Sequence, residues 1–314
     1  ASTLHRLLGS IPDSPYFRHH AENPLSADIV VVDEASMVDM ALMSKLVQAL
    51  SPRARLILLG DKDQLASVEA GAALGDICDS GCPGIVQLQK SHRFGAESGI
   101  AAVSRAVNSG DALHALDMMT SGQYKDIRWK TLPPRDDLAR SLRDAVIQGF
   151  EAYLKNADNP SDMIFKQFEQ FRILCAVRQG PCGVTEVNRL VEQILRRERL
   201  IKPDKTWYKG RPVLITRNDY NLHLFNGDVG IALPDPEVRN EIRVFFPKSY
   251  GTLRKLHPLR LPEHETVFAM TVHKSQGSEF QNIILLLPDR DSPVLTRELI
   301  YTGITRAVTH ADVW

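Results

Sequence analysis

Apolar residues in this chain fall into two rhythms. Short unbroken runs, DIVVVDE (28–34), RLILLGD (55–61), GIVQLQ (84–89), RILCAV (172–177), RPVLIT (211–216) and NIILLLP (282–288), have the pattern of strands buried on both faces in a parallel sheet. Between them, MALMSKLVQAL (40–50) and GVTEVNRLVEQILRRERL (183–200) repeat apolar residues at three- and four-residue spacing, which predicts amphipathic helices. Thr185 is the expected N-cap of the second, ahead of Val187, Leu190, Val191 and Ile194. Strands alternating with helices predict an α/β fold built on parallel sheets. Two segments break the pattern. Residues 111–170 are polar and helix-like, with TLPPRDD as a loop and KNADNPSD as a connection, and residues 227–265 carry short β-like runs between Pro and Gly, which predicts a small β insertion.

Composition changes this picture little. At 314 residues the chain has room for about two domains. Lys plus Arg equals Asp plus Glu at 38 each, so net charge does not point to nucleic acid, although a local basic patch would suffice to meet phosphate. No apolar run reaches the ~18–20 residues of a membrane span. Cys78 and Cys82 are separated by three residues and Cys175 and Cys182 by six, spacings that fit reduced thiols of a cytoplasmic protein better than a zinc pair. The start at ASTLHRLLGS and the end at THADVW, on what reads as a strand, have the look of an excised fragment.

Ligands of open α/β sheets bind beyond the carboxyl ends of the strands. Asp33 and Glu34 end the first apolar run there, and Asp61, Asp63 and Gln64 of GDKDQL follow the second. An isolated Asp-Glu pair could equally cap the next helix, so the pair alone decides nothing. Further along stand LQKSHRF (88–94) with Arg93, TVHKSQGSEF (271–280), and YTGITRA (301–307) with Arg306.

In this order the blocks resemble the motifs of superfamily 1 helicases. VVVDEAS resembles the Walker B motif, LLGDKDQL the motif that senses the γ-phosphate, and LQKSHRF the fourth motif with its phosphate-contacting arginine. TVHKSQGSEF resembles the fifth motif, and YTGITRA the sixth with its arginine finger. The longer strings STLHRLLG, GDKDQLASVEAGAALGDIC, LFNGDVGIAL and LPEHETVFAMTVHKSQGSEF are similar to the alpha-subunit family of bacterial exonuclease V, a helicase–nuclease.

That resemblance implies two RecA-like parallel-sheet domains. Residues 1–82 would be the remainder of the first, and 83–226 with 266–314 the second, interrupted by an SH3-like β insertion at 227–265. It implies an ATP-dependent helicase moving 5′ to 3′ on DNA, with ATP and Mg²⁺ as cofactors. Single-stranded DNA and the beta and gamma subunits of exonuclease V would be its partners. Asp33 would hold the metal through water, Glu34 would act as general base, Gln64 would sense the γ-phosphate, and Arg93 and Arg306 would meet the transferring phosphoryl group. Asp61, Gly277 and Glu279 would contact nucleotide, Glu279 at the ribose. Thr3, His5, Thr271, His273, Lys274 and Ser275 would contact the DNA backbone without reading sequence. One or more of Phe94, Tyr208, Tyr220 and Phe225 is expected to stack on bases.

The chain departs from the family in one respect. It contains no Gly-Lys dipeptide and hence no G-x-x-x-x-G-K-[ST] phosphate loop. In the family that loop precedes STLHRLL, so a chain cut there is expected to bind ATP weakly, to hydrolyse none measurably and to expose an apolar edge of its first sheet. Two other readings compete: a motor-like scaffold that binds DNA or partner subunits without hydrolysis, and an RNA-directed or unrelated ATPase.

Overall fold

A computed structural model of the chain describes residues 2–11, 14–66, 73–88, 93–95, 97–158, 160–202, 205–248 and 252–314. Part of the predicted GDKDQLASVEAG block (67–72) and of LQKSHRF (89–92) lies outside the described residues. The chain forms two compact units, Ala1–Ser91 and His92–Trp314.

In the first unit, β1 (Ile29–Val32) and β2 (Arg55–Leu58) pair in parallel, Ile29 opposite Arg55 and Val32 opposite Leu58. Their β-branched and aliphatic residues suit a pleated strand. Val30 and Val32 point into a core with Leu8 of α1 (Leu4–Leu8), Met43 and Leu46 of α2 (Met40–Gln48), and Leu74 of α3 (Ala73–Asp79). Asp39 caps α2 by accepting from the Leu42 N–H at 2.8 Å. The opposite face of the pair is open, with Ile29, Val31, Ile57 and Leu59 all exposed. These two runs, predicted to be covered on both sides, are thus covered on one.

The second unit is built on five parallel strands in the order β10 (Ala269–Thr271), β4 (Phe171–Cys175), β11 (Phe280–Leu286), β12 (Ala307–Val313) and β3 (Ile127–Trp129). Every residue of β4 is buried. Next to it, Phe150 of α6 (Leu138–Lys155) meets Tyr153, Phe168, Phe171 and Phe268 in one aromatic cluster. The predicted helix at 183–200 is α8 (Val184–Arg197), burying Val187, Leu190, Val191 and Ile194. Its N-cap is Gly183; Thr185 sits inside the first turn and donates its hydroxyl to the Arg178 carbonyl. Residues 111–170 hold α5 (Ala112–Thr120), α6 and α7 (Asp162–Phe168), and also the edge strand β3, which a three-residue run could not announce.

Two predicted strands are corrected. Within GIVQLQ, residues 85–88 form no strand, and Val86 and Leu88 are 81% and 89% exposed because nothing pairs with them; Gln89 lies outside the described residues. RPVLIT is a strand, β5 (Pro212–Ile215), but it belongs to an antiparallel sheet ordered β8 (Leu253–Leu256), β7 (Glu241–Pro247), β6 (Val229–Asp235), β5 and β9 (His264–Thr266). Val213, Ile215, Leu224, Ala232, Val244, Phe246 and Leu256 form its own core. The antiparallel sheet thus takes in β5, before residue 227, as well as β9. Among the described residues no helix is long and apolar enough to cross a membrane.

Candidate nucleotide and nucleic-acid sites

In the first unit the predicted acidic residues gather where two strands end. The Ala35 N–H donates to the Leu59 carbonyl at 2.8 Å, and the Leu59 N–H to the Val32 carbonyl at 2.8 Å, tying the exits of β1 and β2 together. The chain turns between them through a left-handed residue, Glu34 (φ 52°), whose N–H donates to Asp33 Oδ1 at 2.9 Å. A non-glycine residue there costs about 1–3 kcal/mol of local strain, a cost that concentrates at functional sites. Gly60 leaves room for the turn: a Cβ on it would lie 2.7 Å from Leu74 Cδ2 and 3.1 Å from the Ala35 nitrogen. Asp61 accepts from the Asp63 N–H at 3.1 Å and from Gln64 Nε2 at 3.2 Å. This fixes which end of the Gln64 amide is spent, and its Oε1, like Ser36 Oγ, is buried with no hydrogen-bond partner among the described residues. Buried polar atoms are rarely left so.

A second cluster forms in the other unit. Arg93 Nη1 donates to the Thr305 carbonyl at 2.8 Å, and Nη2 pairs with Glu279. The Arg93 guanidinium also lies 5.9 Å from the centre of the Phe94 ring. Arg306 follows α9 (Arg297–Ile304), just before β12. It is 2% exposed, and its Nε and Nη1 donate to the Thr302 and Ser278 carbonyls at 3.1 and 3.3 Å. The fourth, fifth and sixth sequence blocks are therefore locked together through two arginines. Gly277 provides the left-handed turn (φ 74°) that leads into Ser278 and Glu279.

The predicted nucleic-acid contacts separate into several kinds. Thr271 Oγ1 accepts from the Lys274 N–H at 3.2 Å, which starts the turn after β10, and Lys274 Nζ reaches Glu265 at 2.9 Å. His273 is half-buried, and desolvation holds its imidazole below the ordinary value. Ser275 is a correction: it is fully buried and its hydroxyl is donated to the Val272 carbonyl at 2.7 Å, because the turn after β10 packs this residue inward. In the first unit, Thr3 is the exposed N-cap of α1, accepting from the Arg6 N–H, and His5 packs edge-on against Phe17. Tyr208 is withdrawn from the stacking candidates because it is buried and donates its hydroxyl to Glu192, whereas Tyr220 is exposed and packs edge-on against Phe225.

One positioning residue escaped the sequence reading. Asn188, buried on α8, donates to the Ala269 carbonyl and accepts from the Ala269 N–H, both at 2.9 Å. It thus completes the hydrogen bonding of β10, an end strand of its sheet, immediately before the Thr271–Lys274 turn. A lone Asn on the apolar stripe of a helix was its only signal.

Residues 1–126 match the AAA domain family and residues 266–312 the UvrD-like helicase C-terminal domain family. RecBCD enzyme subunit RecD of Mycolicibacterium smegmatis is 42% identical over 317 residues, covering 100% of this chain and 54% of that protein. The chain is similar to RecD from end to end. The Haemophilus influenzae RecD is 35% identical over 362 residues, covering 100% of this chain and 55% of that protein. The ATP-dependent RecD2 DNA helicase of Deinococcus radiodurans is 29% identical, over 98% of this chain and 39% of its own length. The chain therefore spans about half the length of the RecD proteins it matches. The Pif1 helicase from Bacteroides, solved with ADP-AlF3 and ssDNA, shares the fold, with a TM-score of 0.52 at 17% identity over 99% of this chain and 78% of that one.

Proposed function

We propose that this RecD-like chain carries much of the motor of an ATP-dependent DNA helicase subunit. It would act within an exonuclease V complex beside the beta and gamma subunits and move 5′ to 3′ on single-stranded DNA. The observation that carries the reading is the strand-end region of the first unit: the strained turn at Asp33–Glu34 and the Asp61–Gln64 pair follow two adjacent parallel strands, and Gln64 Oε1 and Ser36 Oγ are buried with no hydrogen-bond partner among the described residues.

Phosphoanhydride hydrolysis asks a protein for positioning and charge neutralisation more than for covalent chemistry. Glu34 is the candidate base: it follows the Asp33 carboxylate at the end of β1, on a left-handed turn. The Gln64 carbonyl accepts a hydrogen bond from the attacking water, while its amide nitrogen stays anchored on Asp61. The resemblance assigns Arg93 and Arg306 to the phosphoryl group; in this structure Arg306 is buried on the Thr302 and Ser278 carbonyls, which leaves Arg93 as the candidate fork. Arg93 reaches that group by exchanging Glu279 for phosphate, and Glu279 is thereby freed toward the ribose.

Among the described residues, no three His, Cys, Asp or Glu side chains gather into a metal cage. The donor set fits a hydrated Mg²⁺ shared with phosphates, which needs only one or two carboxylates; Asp33 would hold it through water. That ion would neutralise charge developing on the phosphate oxygens.

The test is DNA-stimulated ATP turnover of the full-length protein with Arg93→Ala and Arg93→Lys. Loss by at least about 10³-fold in the Ala variant, with little recovery in Lys, is expected of a phosphoryl-contacting fork. Turnover within a few-fold of wild type in both would remove Arg93 from the reaction.

A further inference from the structure

Two cations leave the sheet of the second unit side by side. Thr271 of β10 is in register with Cys175 of β4, and the chain beyond each strand carries one basic side chain, Lys274 and Arg178. Both therefore stand at the carboxyl ends of adjacent parallel strands, the edge where α/β sheets take ligands. A single carboxylate joins them. Glu265 of β9 pairs through Oε1 with Lys274 Nζ at 2.9 Å and through Oε2 with Arg178 Nη2 at 2.7 Å.

The main chain around Arg178 is pinned. Its carbonyl accepts from the Thr185 N–H and hydroxyl, and the Val177 carbonyl accepts from the Val184 N–H, so the turn is clamped to the start of α8. An open cleft of about 610 Å³ lies against this group, lined by Arg178, Thr216, Pro262, Glu263, His264 and Glu265. Glu263 is itself paired with Arg217 at 3.3 Å. Three cations thus face two carboxylates, leaving an excess positive charge. His264 packs against Trp207, their ring centres 5.1 Å apart.

We propose that Arg178 is a second contact for the nucleic-acid backbone, and that Glu265 is a positioning residue that holds Arg178 and Lys274 as a paired receptor for a phosphodiester. The inference rests on the reading of Lys274 as a backbone contact and extends it to a residue outside the helicase-like blocks. A shared carboxylate keeps two long side chains from wandering apart, so less conformational entropy is lost when phosphate arrives. The guanidinium keeps free N–H donors for phosphate while one edge remains on Glu265.

The test is the salt dependence of binding of a short fluorescent oligodeoxythymidylate to the full-length protein. Each phosphate contact on a single strand contributes about 0.7 to the slope of log K against log salt. Arg178→Ala and Lys274→Ala are each expected to lower the slope by about that amount and to weaken oligodeoxythymidylate and oligodeoxyadenylate alike, while Arg178→Lys keeps the slope. A changed slope in Lys274→Ala with none in Arg178→Ala would overturn the inference and leave the Lys274 reading standing. No change in either would remove both. A lowered thermal midpoint with an unchanged slope would make Arg178 structural only. Should Ala destabilise the fold, Arg178→Gln, which keeps most of the stem and loses the charge, carries the same measurement.

Discussion

The two parallel sheets of this chain are written in similar residues and solvated differently. IVVV of β1 alternates, with Val30 and Val32 in the core while Ile29 and Val31 are 58% and 56% exposed. FRILC of β4 is buried throughout, even at its arginine. An unbroken apolar run therefore specifies a strand fit to be covered on both faces, and the surrounding elements decide how many faces are covered. In the second unit the aromatic cluster around Phe150 covers one side of β4, and Arg172 lies between Phe168 and Phe280, its guanidinium 3.8 and 4.9 Å from their ring centres. Burial lowers the pKa of that guanidinium to about 9, although it still donates to the Val267 carbonyl.

The contrast can be broken by substitution, most strongly in the covered sheet. Phe150→Ala empties the centre of four ring contacts and is expected to cost about 3–5 kcal/mol in denaturant unfolding, shifting the transition of the second unit and leaving that of the first in place. Next comes Asn188→Ala. It strips the Ala269 N–H and carbonyl of their partner, for a loss of about 1–3 kcal/mol, and amide exchange should quicken along β10 before any other strand.

A smaller effect belongs to Asp312, whose cations Arg128 and Lys130 are more than a third exposed. Burial pushes its carboxyl up, but hydrogen bonds from His310 and Lys130 and their charges more than offset this and hold it well below the usual carboxylate range. A depressed carboxyl stabilises the fold fully above its unfolded value near pH 4 and loses that contribution as pH falls toward the folded value. Asp312→Asn should therefore flatten the acid limb of the second unit's stability curve below about pH 4. Smallest of all, Val31→Thr on the open face of β1 should stay within about 0.5 kcal/mol. A loss above about 1 kcal/mol there would show that the face is covered and the contrast wrong.

What could be read from the sequence followed from local physics. The blocks at strand ends were legible because chemistry-bearing residues interrupt apolar runs abruptly, as Asp33-Glu34 and Asp61–Gln64 do. RPVLIT misled because four consecutive buried residues look alike in a parallel sheet and in a tightly packed antiparallel one. GIVQLQ misled because a strand needs a neighbour, and no local rule supplies one. Ser275 and its neighbours Thr271 and Lys274 could not be sorted by residue type. The short turn after β10 decides which side chain points inward. The Asn188–Ala269 and Arg178–Glu265 contacts join residues 81 and 87 positions apart in sequence, a separation that periodicity does not register.

The central claim is that the turn at Glu34 aims a base at a nucleotide, and one variant addresses it directly. In full-length protein carrying Glu34→Gln, nucleotide affinity measured with a fluorescent ATP analogue should match wild type. Single-turnover hydrolysis in the presence of single-stranded DNA should fall by about 10²–10⁴-fold, the range a positioned general base supplies. Hydrolysis at the wild-type rate with affinity intact would contradict the account.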